Sequence, residues 1–223
     1  MPAFKIAIVP VTPFAQNCSL IWEPETGEAA VVDPGGDVER ILQAVSSAGA
    51  EVSQILLTHG HLDHAGGAAA LKRALDDVRQ ARGAAPVPIL GPDRRDQFLL
   101  DGIAESQRSL GLSGMENVRP DRWLREGDEV TVGGLRFAVL HCPGHTPGHI
   151  VFAEISQRFA FVGDTVFQRS VGRSDFPYGD GAALVACIKS KLLPLGDDMT
   201  FIPGHGPATT AGAERLENPF LQG

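Results

Sequence analysis

Ile55-Leu56-Leu57-Thr58-His59-Gly60-His61-Leu62-Asp63-His64-Ala65-Gly66-Gly67 is the stretch on which the fold and the chemistry of this chain turn. Ile55–Thr58 is a short apolar run with β character, bounded by turn residues, and predicts a buried strand. Three histidines and one aspartate follow within six positions. Imidazole and carboxylate are the ligands a borderline divalent metal prefers. In an α-helix, residues two apart face nearly opposite sides, so His59 and His61 could not share an ion there. In extended chain they point the same way. A loop leaving the strand therefore lets His59 and His61 hold one metal. Asp63 and His64, nearer the following turn, can hold a second. A helix starting there would also place the Asp63 carboxylate where the helix dipole favours it.

Upstream, Phe4–Val11 and Cys18–Trp22 are apolar, β-branched runs that read as paired opening strands. Ala29–Val32 reads as a third strand, ending in Asp33-Pro34-Gly35-Gly36. Asp33 at that strand end is either an Asx turn or an outer partner that orients a ligand histidine. Asp37 is expected to cap a helix carrying Val38, Ile41, Leu42 and Val45, with Gly49 ending it. Downstream, Ala65–Val78 predicts one helix, Val87–Leu90 a strand, and Pro92–Leu112 one or more helices. Glu129–Val132 and Leu135–Leu140 form a hairpin about Gly133-Gly134. Strands at Ile150–Glu154, Arg158–Val162 and Thr200–Ile202 follow, with helices at Ala182–Leu193 and Ala211–Phe220. The alternation of strand and helix in the first part is an α/β signature.

Four metal-type residues, His59, His145, Asp164 and His205, each fall just past a predicted strand end with glycine beside them, where backbone can turn sharply. Four such loops can converge on one edge of the folded sheets. A catalytic zinc site takes about four ligands, one of them water. His59, His61 and His145 make three neutral ligands for one metal; Asp63, His64 and His205 make three for another. Asp164 has two oxygens and can bridge both ions. A hydroxide between two such ions, about 3.5–4 Å apart, would be acidified toward neutrality and could attack a carbonyl. Hydrolysis is the expected reaction, with Asp63 accepting a proton or orienting the hydroxide. His141 and His149, which close and open strands, are expected to be structural or to support ligands from outside. Tyr178 is expected to pack at the surface.

The chain has 223 residues, 43% hydrophobic and 21% charged, an ordinary globular composition. Without a low-complexity stretch or polar linker it reads as one domain, 1–223. No apolar run approaches the roughly 20 residues of a membrane span. Met1–Ile6 lacks the long apolar core of a signal peptide, so a cytoplasmic location is expected. The net charge of −8 argues against a broad nucleic-acid surface. Cys18, Cys142 and Cys187 stand far apart, an odd count with no C-x-x-C, which predicts reduced, buried thiols in a reducing compartment, Cys142 among them structural.

Thr58–His64 is similar to the H-x-H-x-D-H signature of the metallo-β-lactamase superfamily, and His145, Asp164 and His205 match its later ligand motifs. The resemblance covers essentially the whole chain. It implies a four-layer αββα sandwich with metals at one edge of the sheets. Gln16–Ile21, Asp33–Gly36, Val171–Pro177 and Ile202–Pro207 further resemble the glyoxalase II group of hydroxyacylglutathione hydrolases, in particular its short single-domain bacterial members. The resemblance implies two divalent ions, zinc first, with iron or manganese as alternatives. It also implies a small-molecule thioester substrate, while charge and hydropathy predict no nucleic-acid or membrane partner, and a monomer or weak oligomer is expected. In longer glyoxalase II enzymes a lysine after the bridging aspartate holds glutathione. Arg173 stands there and is the expected substrate contact, although arginine and lysine differ in geometry. Pro207 stands where those enzymes carry a tyrosine. Asp164 stands where the commonest zinc β-lactamases carry a cysteine, which argues against lactam hydrolysis.

The same loops also resemble those of glutathione persulfide dioxygenases, which use one iron on two histidines and one aspartate, here His59, His145 and Asp164. Lactone or phosphoester hydrolysis, nuclease activity and a non-catalytic metal module are more distant readings.

Overall fold

The computed structural model describes residues 4–222; Met1–Ala3, part of the stretch read above for a targeting signal, and Gly223 lie outside the described residues. Three opening strands, β1 (Lys5–Val11), β2 (Gln16–Trp22) and β3 (Glu28–Val32), form an antiparallel meander. Helix α1 (Val38–Ala48) crosses back to β4 (Glu51–Leu56), which pairs parallel to β3; helices α2 (Leu62–Ala65) and α3 (Ala68–Gln80) then lead to β5 (Ile89–Leu90), parallel to β4. This completes a five-stranded sheet ordered β1-β2-β3-β4-β5. Two short helices, α4 (Gln97–Asp101) and α5 (Ile103–Ser109), precede the second sheet.

That sheet is built from β6 (Glu129–Val132), β7 (Leu135–His141), β8 (Ile150–Glu154) and β9 (Phe159–Gly163), joined antiparallel. A small hairpin, β10 (Val166–Phe167) with β11 (Ser170–Val171), and helix α6 (Gly181–Cys187) follow. Strand β12 (Thr200–Pro203) joins β9 in parallel, β13 (Thr209–Thr210) closes that edge, and α7 (Ala211–Glu217) ends the chain's regular structure. The order is β13-β12-β9-β8-β7-β6.

Strand alternation explains the layering. Successive side chains point to opposite faces, and both faces of the central strands are apolar. Ala30 and Val32 of β3 meet Phe137, Phe152 and Phe161 of the second sheet in the inter-sheet core. Ala29 and Val31 point outward onto Ile41, Val45, Leu71 and Leu75 of α1 and α3. Val151, Ala153, Ala160 and Val162 of the second sheet point outward onto Leu184, Ile188 and Leu192. The result is helix, sheet, sheet, helix, the sandwich expected. Among the described residues no helix is long and apolar enough to cross a membrane.

Several local readings are corrected. The helix expected over Ala65–Val78 is two helices, broken at Gly66-Gly67. Backbone from another segment crowds that break: a Cβ on Gly67 would lie 2.7 Å from the Pro34 carbonyl oxygen. Asp37 occupies the N-cap of α1 as expected and its carbonyl accepts the Arg40 N–H at 2.9 Å, but its side chain makes no cap bond; the carboxylate accepts the Thr12 N–H at 2.7 Å instead. The helix expected over Ala182–Leu193 is regular only through Cys187 and continues as a π-helical turn over Ile188–Leu192. Cys142 and Cys187 are joined by a disulfide, Cα–Cα 5.5 Å, which overturns the reading of three reduced thiols; only Cys18 is free among the described residues. Their separation of 45 positions gave no local sign of pairing.

Candidate metal centre

Strand β4 ends at Leu56, and the Leu57 N–H still bonds the Leu90 carbonyl at 2.9 Å, so the chain leaves the sheet edge firmly anchored. His59 and Gly60 lie in the loop, His61 occupies the position before α2 with extended backbone, and Asp63 falls in the first helical turn. The carboxylate thus sits at the favoured helix end. His145 is delivered by the loop after β7, Asp164 by the turn after β9, and His205 by the turn after β12. Gly163, beside Asp164, takes φ +51°, a left-handed conformation that glycine adopts at little cost.

These loops bring all seven side chains together. His61 Nδ1 lies 3.1 Å from His59 Nε2 and 2.9 Å from His145 Nε2. On the other side, Asp63 Oδ2 lies 3.2 Å from His205 Nε2 and 3.9 Å from His64 Nε2. In each triad the donor atoms fall within 4.8 Å of one another. Asp164 faces both. Its Oδ1 is 3.3 Å from His64 Nε2, and its Oδ2 is 3.6 Å from His145 Nε2 and 3.7 Å from His205 Nε2. Asp33, His59 and His64 also form a close triad. The Asp33 oxygens, however, already accept the Thr58 N–H at 2.7 Å, the Thr58 hydroxyl at 2.6 Å and His64 Nδ1–H at 2.9 Å. Asp33 thus commits its oxygens to Thr58 and His64 rather than to the centre.

The imidazole nitrogens that face away from the centre decide whether the set suits metal. His59 Nδ1 meets the Thr58 hydroxyl at 3.1 Å, and that hydroxyl donates onward to Asp33. His64 Nδ1 meets Asp33, His145 Nδ1 the Arg173 carbonyl at 2.7 Å, His205 Nδ1 the Phe14 carbonyl at 3.2 Å, and His61 Nε2 the Tyr178 phenol at 2.9 Å. Each outer nitrogen has an acceptor, so each can carry the proton and leave a lone pair turned inward, the arrangement found around metal-bound histidine. Two buried atoms at the centre, His64 Nε2 and Asp164 Oδ1, have no hydrogen-bond partner. Buried polar atoms are rarely left so. His59 and His61 are neutral, and His64 Nε2 and Asp164 Oδ1, left without a hydrogen bond, face each other at 3.3 Å, so the donor set fits two divalent cations, one of which would take the place of the His64 proton.

Electrostatics separate the two triads. Burial, then repulsion from neighbouring imidazoles, pushes His59 well below its ordinary value, and burial with His145 brings His61 down to about 3. Both are neutral near pH 7. Burial opposes charge on His64 too, but Asp164 and Asp63 outweigh it and hold it protonated, a positive charge where a cation would sit. Burial raises Asp63 and Asp164, yet the facing histidines pull both below the usual carboxylate range.

The supporting roles of two residues, Asp96 and Tyr178, escape a linear reading. Asp96, fully buried, accepts the Gly60 N–H at 2.9 Å, the Gly148 N–H at 2.6 Å and the Thr146 hydroxyl at 2.7 Å. It ties the His59–His61 loop to the His145 loop. Its partners lie 36, 52 and 50 positions away, so no local motif marks it. Tyr178, expected to be surface packing, reaches His61. Arg173 contributes its carbonyl to His145, while its guanidinium pairs with Asp175 and lies 4.5 Å over the Phe176 ring. His149 is buried, stacks on His59 at 4.7 Å and accepts the Asp164 N–H at 3.0 Å, as expected of a support. His141 is also turned away from the centre, toward the Pro147 carbonyl at 2.8 Å.

A cavity of about 390 Å³ opens beside the triads, lined by Phe14, His61, Asp63, Leu99, Arg173 and Tyr178 among others. It is large enough for a small substrate and mostly apolar, as such sites are.

A family model described as metallo-beta-lactamase superfamily matches residues 11–205. The chain is 46% identical over 218 residues to hydroxyacylglutathione hydrolase GloC of Haemophilus influenzae, covering 97% of this chain and 98% of that one. The crystal structure of TTHA1623 in a di-iron-bound form superposes with TM-score 0.83 at 36% identity, covering 96% of this chain and 100% of its own. That of BLEG-1 B3 metallo-beta-lactamase superposes with TM-score 0.83 at 33% identity, covering 98% and 100%.

Proposed function

This chain belongs to the metallo-beta-lactamase superfamily and is a hydrolase of that superfamily, and on that premise we propose that it cleaves a small thioester, a 2-hydroxyacyl-glutathione. Residues 1–223 act as one hydrolase domain in this reading. His59, His61 and His145 would hold one ion and Asp63, His64 and His205 a second, with the Asp164 carboxylate facing both. The observation that carries the reading is the meeting of two complete triads at Asp164 beside a cavity of about 390 Å³.

Two divalent ions bound there supply a Lewis acid for the thioester carbonyl and acidify water toward neutrality. Asp63 is held ionised below the usual carboxylate range and stands at the cavity wall, so its free oxygen can take the proton of attacking water. The leaving group is a thiolate, whose conjugate acid has a pKa of about 8.5, so it departs without a general acid. Leu99, Ile103, Phe14 and Phe176 line the cavity with apolar surface against which an acyl group can pack. Likeness to the Haemophilus hydroxyacylglutathione hydrolase supports glutathione as the thiol.

A single-iron persulfide dioxygenase on His59, His145 and Asp164 is the rival reading. It leaves His61, Asp63, His64 and His205 without a task, although their donor atoms converge as closely as the others. The experiment is turnover by metal-replete protein: lactoylglutathione hydrolysis well above background, with no oxygen uptake on glutathione persulfide, is the expected result. Oxygen consumption with persulfide, or hydrolysis of a β-lactam in preference to the thioester, would replace this reading.

A further inference from the structure

Five imidazoles converge on the centre, and four of them rest on partners that the fold itself fixes. His145 and His205 bond main-chain carbonyls, His64 bonds buried Asp33, and His59 bonds buried Thr58. The fifth, His61, rests on Tyr178, the chain's sole tyrosine. That phenol sits in the loop between β11 and α6, in the second half of the chain, 117 positions from the histidine it meets.

The proton inventory sets the direction of that bond. His61 Nδ1 lies about as close to His59 Nε2 as to His145 Nε2, at 3.1 and 2.9 Å. For all three nitrogens to hold one cation, each must present a lone pair, so the His61 proton belongs on Nε2. Nε2–H then donates to the Tyr178 oxygen. The phenol ring is itself held: it stacks on Phe176 at 5.3 Å and 11° between planes, and meets Phe98 of α4 edge-on at 5.2 Å. Phe176 in turn packs against the His61 and His145 rings at 5.1 and 5.8 Å. The aromatic stack bridges the two halves of the chain directly above the first triad.

We propose that Tyr178 is the positioning residue of the first triad: its hydroxyl fixes the tautomer and ring angle of His61, and the Phe98–Tyr178–Phe176 stack fixes the hydroxyl. The inference rests on reading His59, His61 and His145 as metal ligands. Removing an outer partner of a ligand histidine weakens metal affinity or activity about 10–100-fold. Tyr178→Phe removes only the hydroxyl and keeps the ring in its stack.

The test needs no substrate. Zinc is titrated into metal-stripped wild-type and Tyr178→Phe protein by calorimetry, and cobalt by its visible spectrum. Wild-type protein labelled with 3-fluorotyrosine gives one fluorine resonance, because there is one tyrosine. The expected result is two zinc ions per wild-type chain and, in the variant, one of the two affinities weakened about tenfold or more with the other unchanged. The cobalt spectrum alters, and the fluorine resonance moves as the triad of His59, His61 and His145 fills. A variant matching the wild type in both affinities and in its cobalt spectrum would overturn the role of Tyr178 and leave the two-metal reading standing. A wild type that binds no zinc would overturn both. Thermal unfolding of the two metal-free proteins should coincide; a variant that unfolds far earlier would show Tyr178 holding the fold instead of His61, against the inference.

Discussion

Asp33 accepts bonds from the Thr58 N–H, the Thr58 hydroxyl and His64 Nδ1–H, from a backbone at φ +52° that aspartate tolerates better than most residues. Removing its carboxylate leaves buried donors unsatisfied at about 1–3 kcal/mol each. Asp33→Ala is therefore expected to lower stability to denaturant by several kcal/mol and to weaken one metal site by about 10–100-fold, checked by urea unfolding and zinc titration. Asp96 makes a pH prediction. Burial raises its carboxyl to about 6, against the pull of its three donors. Ionised, it accepts from both ligand loops; as pH falls through about 6 it gains a proton and that hold loosens. Activity of the metal-loaded protein is expected to drop on the acid side with a midpoint near that value. Asp96→Asn, which cannot ionise, should lower the plateau and lose that limb in a pH–rate profile; an unchanged limb would assign it elsewhere. The seven inward residues were legible because their types are costly and their spacing local, or repeated at strand ends. Asp96 and Tyr178 were not, because their meaning lies in partners far along the chain.

At the level of elements, the loops that carry the ligands are packed backbone against backbone. A Cβ on Gly35 would overlap the Asp63 carbonyl oxygen, and one on Gly172 would overlap the Asp164 carbonyl oxygen. Neither obstacle is a flexible side chain, so neither can yield cheaply. Gly35→Ala should cost about 2–3 kcal/mol by equilibrium denaturation, and zinc should bind more weakly at the proposed site of Asp63, His64 and His205. A Gly35→Ala protein with unchanged stability and zinc affinity would contradict this packing. The same crowding explains why Ala65–Val78 reads as one helix and folds as two. Helix propensity sees the run of alanine and leucine, but not the Pro34–Gly36 backbone lying against Gly66-Gly67. Strands and their order of appearance were plain from periodicity, whereas short elements such as β10, β11 and β13 are held by neighbours and leave little pattern of their own.

Across the whole molecule, the centre is shared between halves. Residues 59–64 leave the first sheet, and His145, Asp164 and His205 leave the second, so the centre exists only when the sheets are stacked. A ligand that binds only the folded state stabilises it by about 2.7 kcal/mol at a hundred times its Kd. Saturating zinc should therefore raise the unfolding temperature of the metal-free protein by roughly 5–10 °C, at about 2–4 °C per kcal/mol for a chain of this size, and a chelator should reverse the shift. The α/β class and the edge carrying the site were visible in the sequence, since apolar strand runs and strand-end ligands are local signals, whereas the layer order was only implied by the resemblance to the metallo-β-lactamase superfamily. The Cys142–Cys187 bond was not visible, because pairing depends on which loops meet. The most direct test of the account is anomalous diffraction at the zinc edge from crystals grown with zinc. The account predicts two peaks about 3.5–4 Å apart, one among His59, His61 and His145 and one among Asp63, His64 and His205, with Asp164 between them. One peak alone, or zinc bound away from these seven side chains, would contradict it.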